Sequence, residues 1–252
     1  MLNRVKTDND LQKENLPERL IILDYDGTLI KHVGTPESAI PTESLLETLR
    51  KLSEKPNTRI VIISGRNHNE IEKFFGQLPV DLIAEHGAVV KDNGKWKNQI
   101  NYINEWKKHI LPILEDFSKL CNGSFIEEKQ FSITWHYRNC TDGEGFKVSR
   151  ELIEKIRPLI PKLNLKILDG NKVVEVLMKE AGKGIAIKNL LQKGYYEHII
   201  CIGDDKTDEE MFEILAENKN AVTIKVGEGN TAAKNRLNNV NEVINFLENL
   251  AI

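Results

Sequence analysis

The chain has 252 residues, enough for one large domain or two small ones. Its net charge of -3 at pH 7 excludes a general attraction to nucleic acid or membrane, so an acidic ligand would need a local positive patch. Three cysteines, an odd number without metal-ligand spacing, fit a reducing compartment and argue against a disulfide framework.

Residues 1–18, polar and mixed in charge, read as a lightly packed lead-in and lack the apolar stretch of a signal peptide. No stretch is long and apolar enough to cross a bilayer, so a cytoplasmic protein is expected. The run LIIL at 20–23 is a strand buried on both faces. Leucines 45, 46, 49 and 52 share one face of a helix over 44–52. A second buried strand covers 59–65, a helix 68–78, and a third strand 81–90, interrupted at Glu85-His86-Gly87. Asn93-Gly94 marks a hairpin turn. Strands alternating with helices predict a parallel α/β sheet.

The pattern then changes. Residues 103–120 form a helix with a kink or boundary at Pro112, 125–138 a strand, 147–160 a helix and 165–178 a hairpin. This series reads as an inserted α+β unit over 99–178, which leaves 1–98 and 179–252 as one Rossmann-like core. The α/β pattern returns with a helix at 182–194, a strand at 198–205, a helix at 207–217 that Thr207 would cap, a strand at 221–227 and a last helix at 241–250.

Three buried strands end in polar groups. LIILDYDGT delivers Asp24 and Asp26, RIVIISG delivers Ser64, and IICIGDD delivers Asp204 and Asp205. In an open α/β sheet that edge is where ligands bind. So many carboxylates in one crevice are costly unless a cation joins them or one stays protonated. An oxygen-only donor set without Cys or His suits Mg²⁺. Each fragment alone also reads blandly: a turn, a strand end, a helix start.

DYDGT, SGR, Lys183 and GDDKTDE, in this order, resemble the four motifs of the haloacid dehalogenase-like (HAD) phosphatases. More narrowly, AEHG, E-x-K…HYR and GDDKTDEEMF resemble the trehalose-6-phosphate phosphatases. That resemblance implies a HAD core with an α/β cap between the second and third motifs. Asp24 would be the nucleophile that forms an aspartyl-phosphate. Asp26, initially protonated, would be the acid and then the base. Ser64 and Lys183 would hold the phosphoryl group, with Thr28 orienting Asp26 beside it. Mg²⁺ would be bound by Asp24, Asp26 through its main-chain carbonyl, and Asp204, with Asp205 and Asp208 as further or supporting ligands.

The resemblance also places Glu127, Lys129, Arg138 and Glu175 on the sugar. Carboxylates accept from sugar hydroxyls, while Lys and Arg donate. All four read equally as solvated charges, and alternation by itself would turn Glu175 to the outer face. The implied reaction is hydrolysis of trehalose 6-phosphate. Alternatives are another sugar phosphate, such as sucrose phosphate or mannosyl-3-phosphoglycerate, or a non-catalytic sensor or synthase subunit. A monomer with a trehalose-6-phosphate synthase as partner is the expected assembly, with no nucleic acid or membrane involved.

Overall fold

A computed structural model describes residues 19–141 and 143–252. The expected lead-in at 1–18 lies outside them.

β1 (Arg19–Asp24) is central because both its faces are greasy. Ile21 and Leu23 enter one apolar layer, with Leu45, Leu49 and Leu52 of α1 (Glu43–Ser53) and Val243 and Leu247 of α7 (Val240–Ala251). Leu20 and Ile22 enter the other, with Ile187 of α5 (Lys183–Leu191) and Met211, Phe212 and Leu215 of α6 (Lys206–Leu215). The side-chain period of two in a strand produces this split. β10 (His198–Gly203) and β2 (Thr58–Ile63) flank β1 in parallel. Beyond β10 lie β11 (Ala221–Val226) and the short β12 (Asn235–Leu237), the latter not foreseen from sequence. Beyond β2 lie β3 (Asp81–Ala84), β4 (Val89–Asp92) and β5 (Lys95–Asn98). The last two run antiparallel around Asn93 and Gly94, both at positive φ as a tight hairpin requires. α2 (His68–Phe75) is N-capped by Asn67.

A separate antiparallel sheet has the order β6-β7-β9-β8, formed by Phe125–Glu128, Ser132–His136, Val173–Met178 and Leu165–Gly170 respectively. Sequence reading joined 125–138 into one strand. A turn at Lys129-Gln130-Phe131 divides it, closed by Lys129 N–H donating to the Ser132 carbonyl. On β7, Ile133 and Trp135 face the helices α3 (Lys107–Leu120) and α4 (Glu144–Ile156), whose Ile110, Leu114 and Leu152 share their core. α3 runs through Pro112, where a boundary was one expectation. Lys107 is buried, with its ammonium on Glu128 and the Lys129 carbonyl.

Cys121 and Cys140, 19 residues apart, face each other where the end of α3 meets the approach to α4, a single pair and not a framework, and Cys201 is free and buried. No helix among the described residues is long and apolar enough to cross a membrane.

Candidate active site between the two sheets

Register assembles the acid end. Asp24 pairs with Ile63 and Leu23 with Ile202, so Asp24, Ser64 and Asp204 emerge side by side. Gly27 (φ 91°) turns the chain directly over Asp204: a Cβ there would lie 2.6 Å or less from all three carboxyl atoms of Asp204. Gly203 has a similar constraint against Asp208. Only glycine fits either close approach.

Lys183 Nζ lies 2.6 Å from Asp24 Oδ1 and 2.8 Å from Asp208 Oδ1. Burial works against its charge, but Asp208 and Asp24 outweigh that and keep it protonated. Burial, reinforced by Asp208 and Asp204 against the pull of Lys183, holds Asp24 well above the usual carboxylate range. Burial also raises Asp204, although His32 Nε2, 3.0 Å from its Oδ2, opposes the shift. Asp24, Asp204 and Asp208 offer oxygens all within 4.8 Å of one another. Asp24 Oδ2 and Asp204 Oδ1 are buried without hydrogen-bond partners. Three carboxylates against one ammonium, with two orphaned oxygens, fit a divalent cation.

Asp205 does not join this cluster. It N-caps α6 in a capping box with Asp208, so the expected Thr207 cap is replaced. Asp208 Oδ2 accepts from the Asp204 and Asp205 N–H groups, which fixes the strand end it also serves.

Asp26 meets a different environment from the one expected. It was to begin protonated as the acid, yet Arg66 forks onto it, Nε to Oδ2 at 2.7 Å and Nη2 to Oδ1 at 2.9 Å. The two guanidinium N–H groups of Arg66 match the two carboxyl oxygens of Asp26. Arg66 is itself braced by the Pro36 carbonyl, by Glu70 and by the faces of Tyr25 and Phe74. Thr28 was expected to orient Asp26; its Oγ1 is buried and has no partner. Ser64 Oγ accepts from the Arg66 N–H, which keeps the loop after β2 tight.

The second sheet closes over these groups. Lys129, at the tip of the β6–β7 turn, donates to the Gly65 carbonyl and to Glu175 Oε1, both at 3.0 Å. Ser132 Oγ also donates to Glu175 Oε1, and His86 Nε2 lies 3.0 Å from its Oε2. Burial pushes the Glu175 carboxyl up, but Lys129, His86 and Ser132 overcome it and hold the group well below the ordinary range. Glu127 pairs with His136, which stacks on Phe125. Glu85 and His86 sit at φ 47° and 55°, a strained corner that sends Glu85 to the Phe131 N–H and His86 to Glu175.

One cavity of about 190 Å³ lies between the sheets, bordered by Asp24, Lys183, Arg66, Glu127, Lys129 and Glu175 among others. Arg138 reaches its edge while donating to the Asn171 carbonyl at 2.6 Å. Every residue expected at the site except the buried Thr28 and Asp208 borders this cavity. Sequence reasoning assigned no role to Arg66 or His32. The signal for Arg66 was present, since it stands inside SGR; His32 had none.

A profile of the trehalose-phosphatase family matches residues 22–242. The chain is 40% identical over 233 residues to the bifunctional trehalose-6-phosphate synthase/phosphatase of Thermoproteus tenax, an alignment covering 92% of this chain and 32% of that protein. The chain spans a quarter to a third of the length of the curated relatives it matches. The solved C-terminal domain of the C. albicans trehalose-6-phosphate phosphatase superposes with TM-score 0.89 at 31% identity, covering 96% of this chain and 94% of that one. A haloacid dehalogenase-like hydrolase from B. subtilis, 15% identical, shares the fold alone at TM-score 0.65, covering 91% of this chain and 98% of its own. The molecule is thus an α/β, Rossmann-like HAD core carrying an α+β cap.

Proposed function

The chain belongs to the trehalose-phosphatase family, and on that premise we propose that it releases inorganic phosphate from trehalose 6-phosphate with Mg²⁺, through an aspartyl-phosphate on Asp24. One observation supports this reading above the others. Asp24, Lys183 and Asp204 stand across a single cavity from Glu127, Lys129 and Glu175, a phosphoryl end facing a polyol end. We take residues 99–178 as the cap that chooses the substrate and the remainder as the phosphatase core.

Lys183, on Asp24 Oδ1, fixes the carboxylate that supplies the attacking oxygen. As the Asp24–phosphorus bond forms, the phosphorus–oxygen bond to the sugar breaks and that oxygen takes a proton from Asp26. Asp26 then removes a proton from water, the water oxygen attacks phosphorus, and Asp24 leaves as a carboxylate. Substrate entry therefore has to free Asp26 from the Arg66 fork before it can carry a proton. Ser64 and Lys183, which border the cavity, would bind phosphoryl oxygens. Asp24, Asp204, Asp208 and the Asp26 main-chain carbonyl would hold Mg²⁺, which when bound supplies positive charge to the transferring group. Asp205 keeps its structural place as the cap of α6.

At about 190 Å³ the cavity is smaller than the roughly 300–1,000 Å³ of ordinary small-molecule sites. The cap has to swing away for a disaccharide to enter, and closing it again excludes water. Because the Thermoproteus relative is named as a fused synthase/phosphatase, a synthase supplying the substrate belongs to the same proposal. Phosphate release from a panel of phosphosugars, with and without Mg²⁺, tests the reading. Trehalose 6-phosphate should rank among the best substrates, with activity lost to chelation. A preference for sucrose phosphate or mannosyl-3-phosphoglycerate would move the assignment to those substrates.

A further inference from the structure

Directly opposed residues in an antiparallel sheet share a face. Glu127, Thr134 and Glu175 are such a row, on β6, β7 and β9 in register. The row faces the cavity, and the outer two are already occupied. His136 takes Glu127 Oε2, while Lys129, Ser132 and His86 take both oxygens of Glu175. Thr134, 2% exposed and bordering the same cavity, is different. Its Oγ1 is buried and has no hydrogen-bond partner among the described residues. The strand's own carbonyls are spent in the ladder, and a buried hydroxyl left unpaired is costly.

We propose that Thr134 is a sugar-specificity residue, whose hydroxyl pairs with a hydroxyl of the leaving sugar held between Glu127 and Glu175. The chemistry of the row favours that ligand. The flanking carboxylates only accept, so a sugar hydroxyl seated there gives its proton to one of them. Its oxygen is then left to accept from the Thr134 O–H. A phosphate ester without vicinal hydroxyls has no group to place at this position. The proposal rests on the phosphosugar reading above and sharpens it to one atom.

Thr134→Val keeps the shape and removes the hydroxyl; Thr134→Ser restores it. Kinetics are measured on the best phosphosugar of the wild-type panel and on p-nitrophenyl phosphate. Thr134→Val should raise KM for the phosphosugar about tenfold, the scale of one lost hydrogen bond. Activity on p-nitrophenyl phosphate should be unchanged, and Thr134→Ser should recover most of the loss. The melting temperature of Thr134→Val should not fall, because an unpaired buried hydroxyl has been removed. Wild-type kinetics for Thr134→Val on the phosphosugar would overturn this proposal alone, as would an equal loss on both substrates. A wild-type enzyme that cleaves p-nitrophenyl phosphate but no phosphosugar would sink the functional reading and this proposal with it.

Discussion

The acid end of the cavity and the cap face opposite it handle buried charge in contrary ways. At the acid end, Asp24 and Asp208 share the Lys183 ammonium, Asp204 pairs with His32, and Asp24 Oδ2 and Asp204 Oδ1 have no partner. On the cap, Glu175 is enclosed by Lys129, Ser132 and His86, and Glu127 by His136. One surface is incomplete until a cation arrives. The other holds its carboxylates in internal pairs before any ligand arrives, while the Thr134 hydroxyl between them is left without a partner.

The largest test of that contrast is Asp24→Asn. It should cut phosphate release by about 10⁴-fold or more, the scale of losing a nucleophile. Circular dichroism should stay native, since Lys183 keeps Asp208. Residual turnover near wild type would mean the acid end is not the reacting end.

Lys129→Met attacks the cap face. It strips a buried partner from Glu175, and stability in denaturant should fall by about 3 kcal/mol, the lower part of the range for broken buried pairs, because His86 and Ser132 remain. KM for the phosphosugar should rise with it. The double variant Lys129→Met/Glu175→Leu should recover much of the stability but none of the KM. If the single variant is as stable as wild type, the cap network is not the closed system described here.

Adding a divalent cation should stabilise the protein by about 2.7 kcal/mol at a hundredfold excess over Kd. A rising melting temperature on titration with Mg²⁺ reads this out, and the Asp24→Asn variant should show less of it.

Acid should separate the two regions by sign. Asp24 is held above its unfolded value, so in metal-free buffer the native state binds the extra proton. Stability from this group rises as pH falls through the raised value, and the benefit of the cation shrinks in the same window. Glu175 is held well below its unfolded value. Its contribution is present at neutral pH and is lost as pH falls through the depressed value. Unfolding free energy against pH for Asp24→Asn and Glu175→Gln should therefore lose slopes of opposite sign. Slopes of the same sign would break the comparison.

The acid end was the more legible region. Each of its residues follows a buried apolar run within a few positions, as Asp24 follows LIIL and Asp204 follows IICIG. Burial pattern and motif are then read from the same short segment. The sharing of work between Asp205 and Asp208 was not legible, because helix capping and ligation both ask for acids there. The Arg66 fork on Asp26 spans 40 residues, and the contact between His86 and Glu175 spans 89. No local period encodes either. Glu175 was assigned by alternation to an outer face, but a sheet face turned away from its own helices is still buried when another unit docks on it.

Periodicity and strand-end chemistry in the sequence determined the α/β core, the inserted unit and the carboxylates gathered at one sheet edge, because those depend on neighbours a few residues apart. Tertiary structure alone decided which acids lie bare and which are paired, that Arg66 grips Asp26, and that Thr134 is buried without a partner. Those outcomes depend on how the second sheet lies against the first, where burial and distance set the energy of every charge.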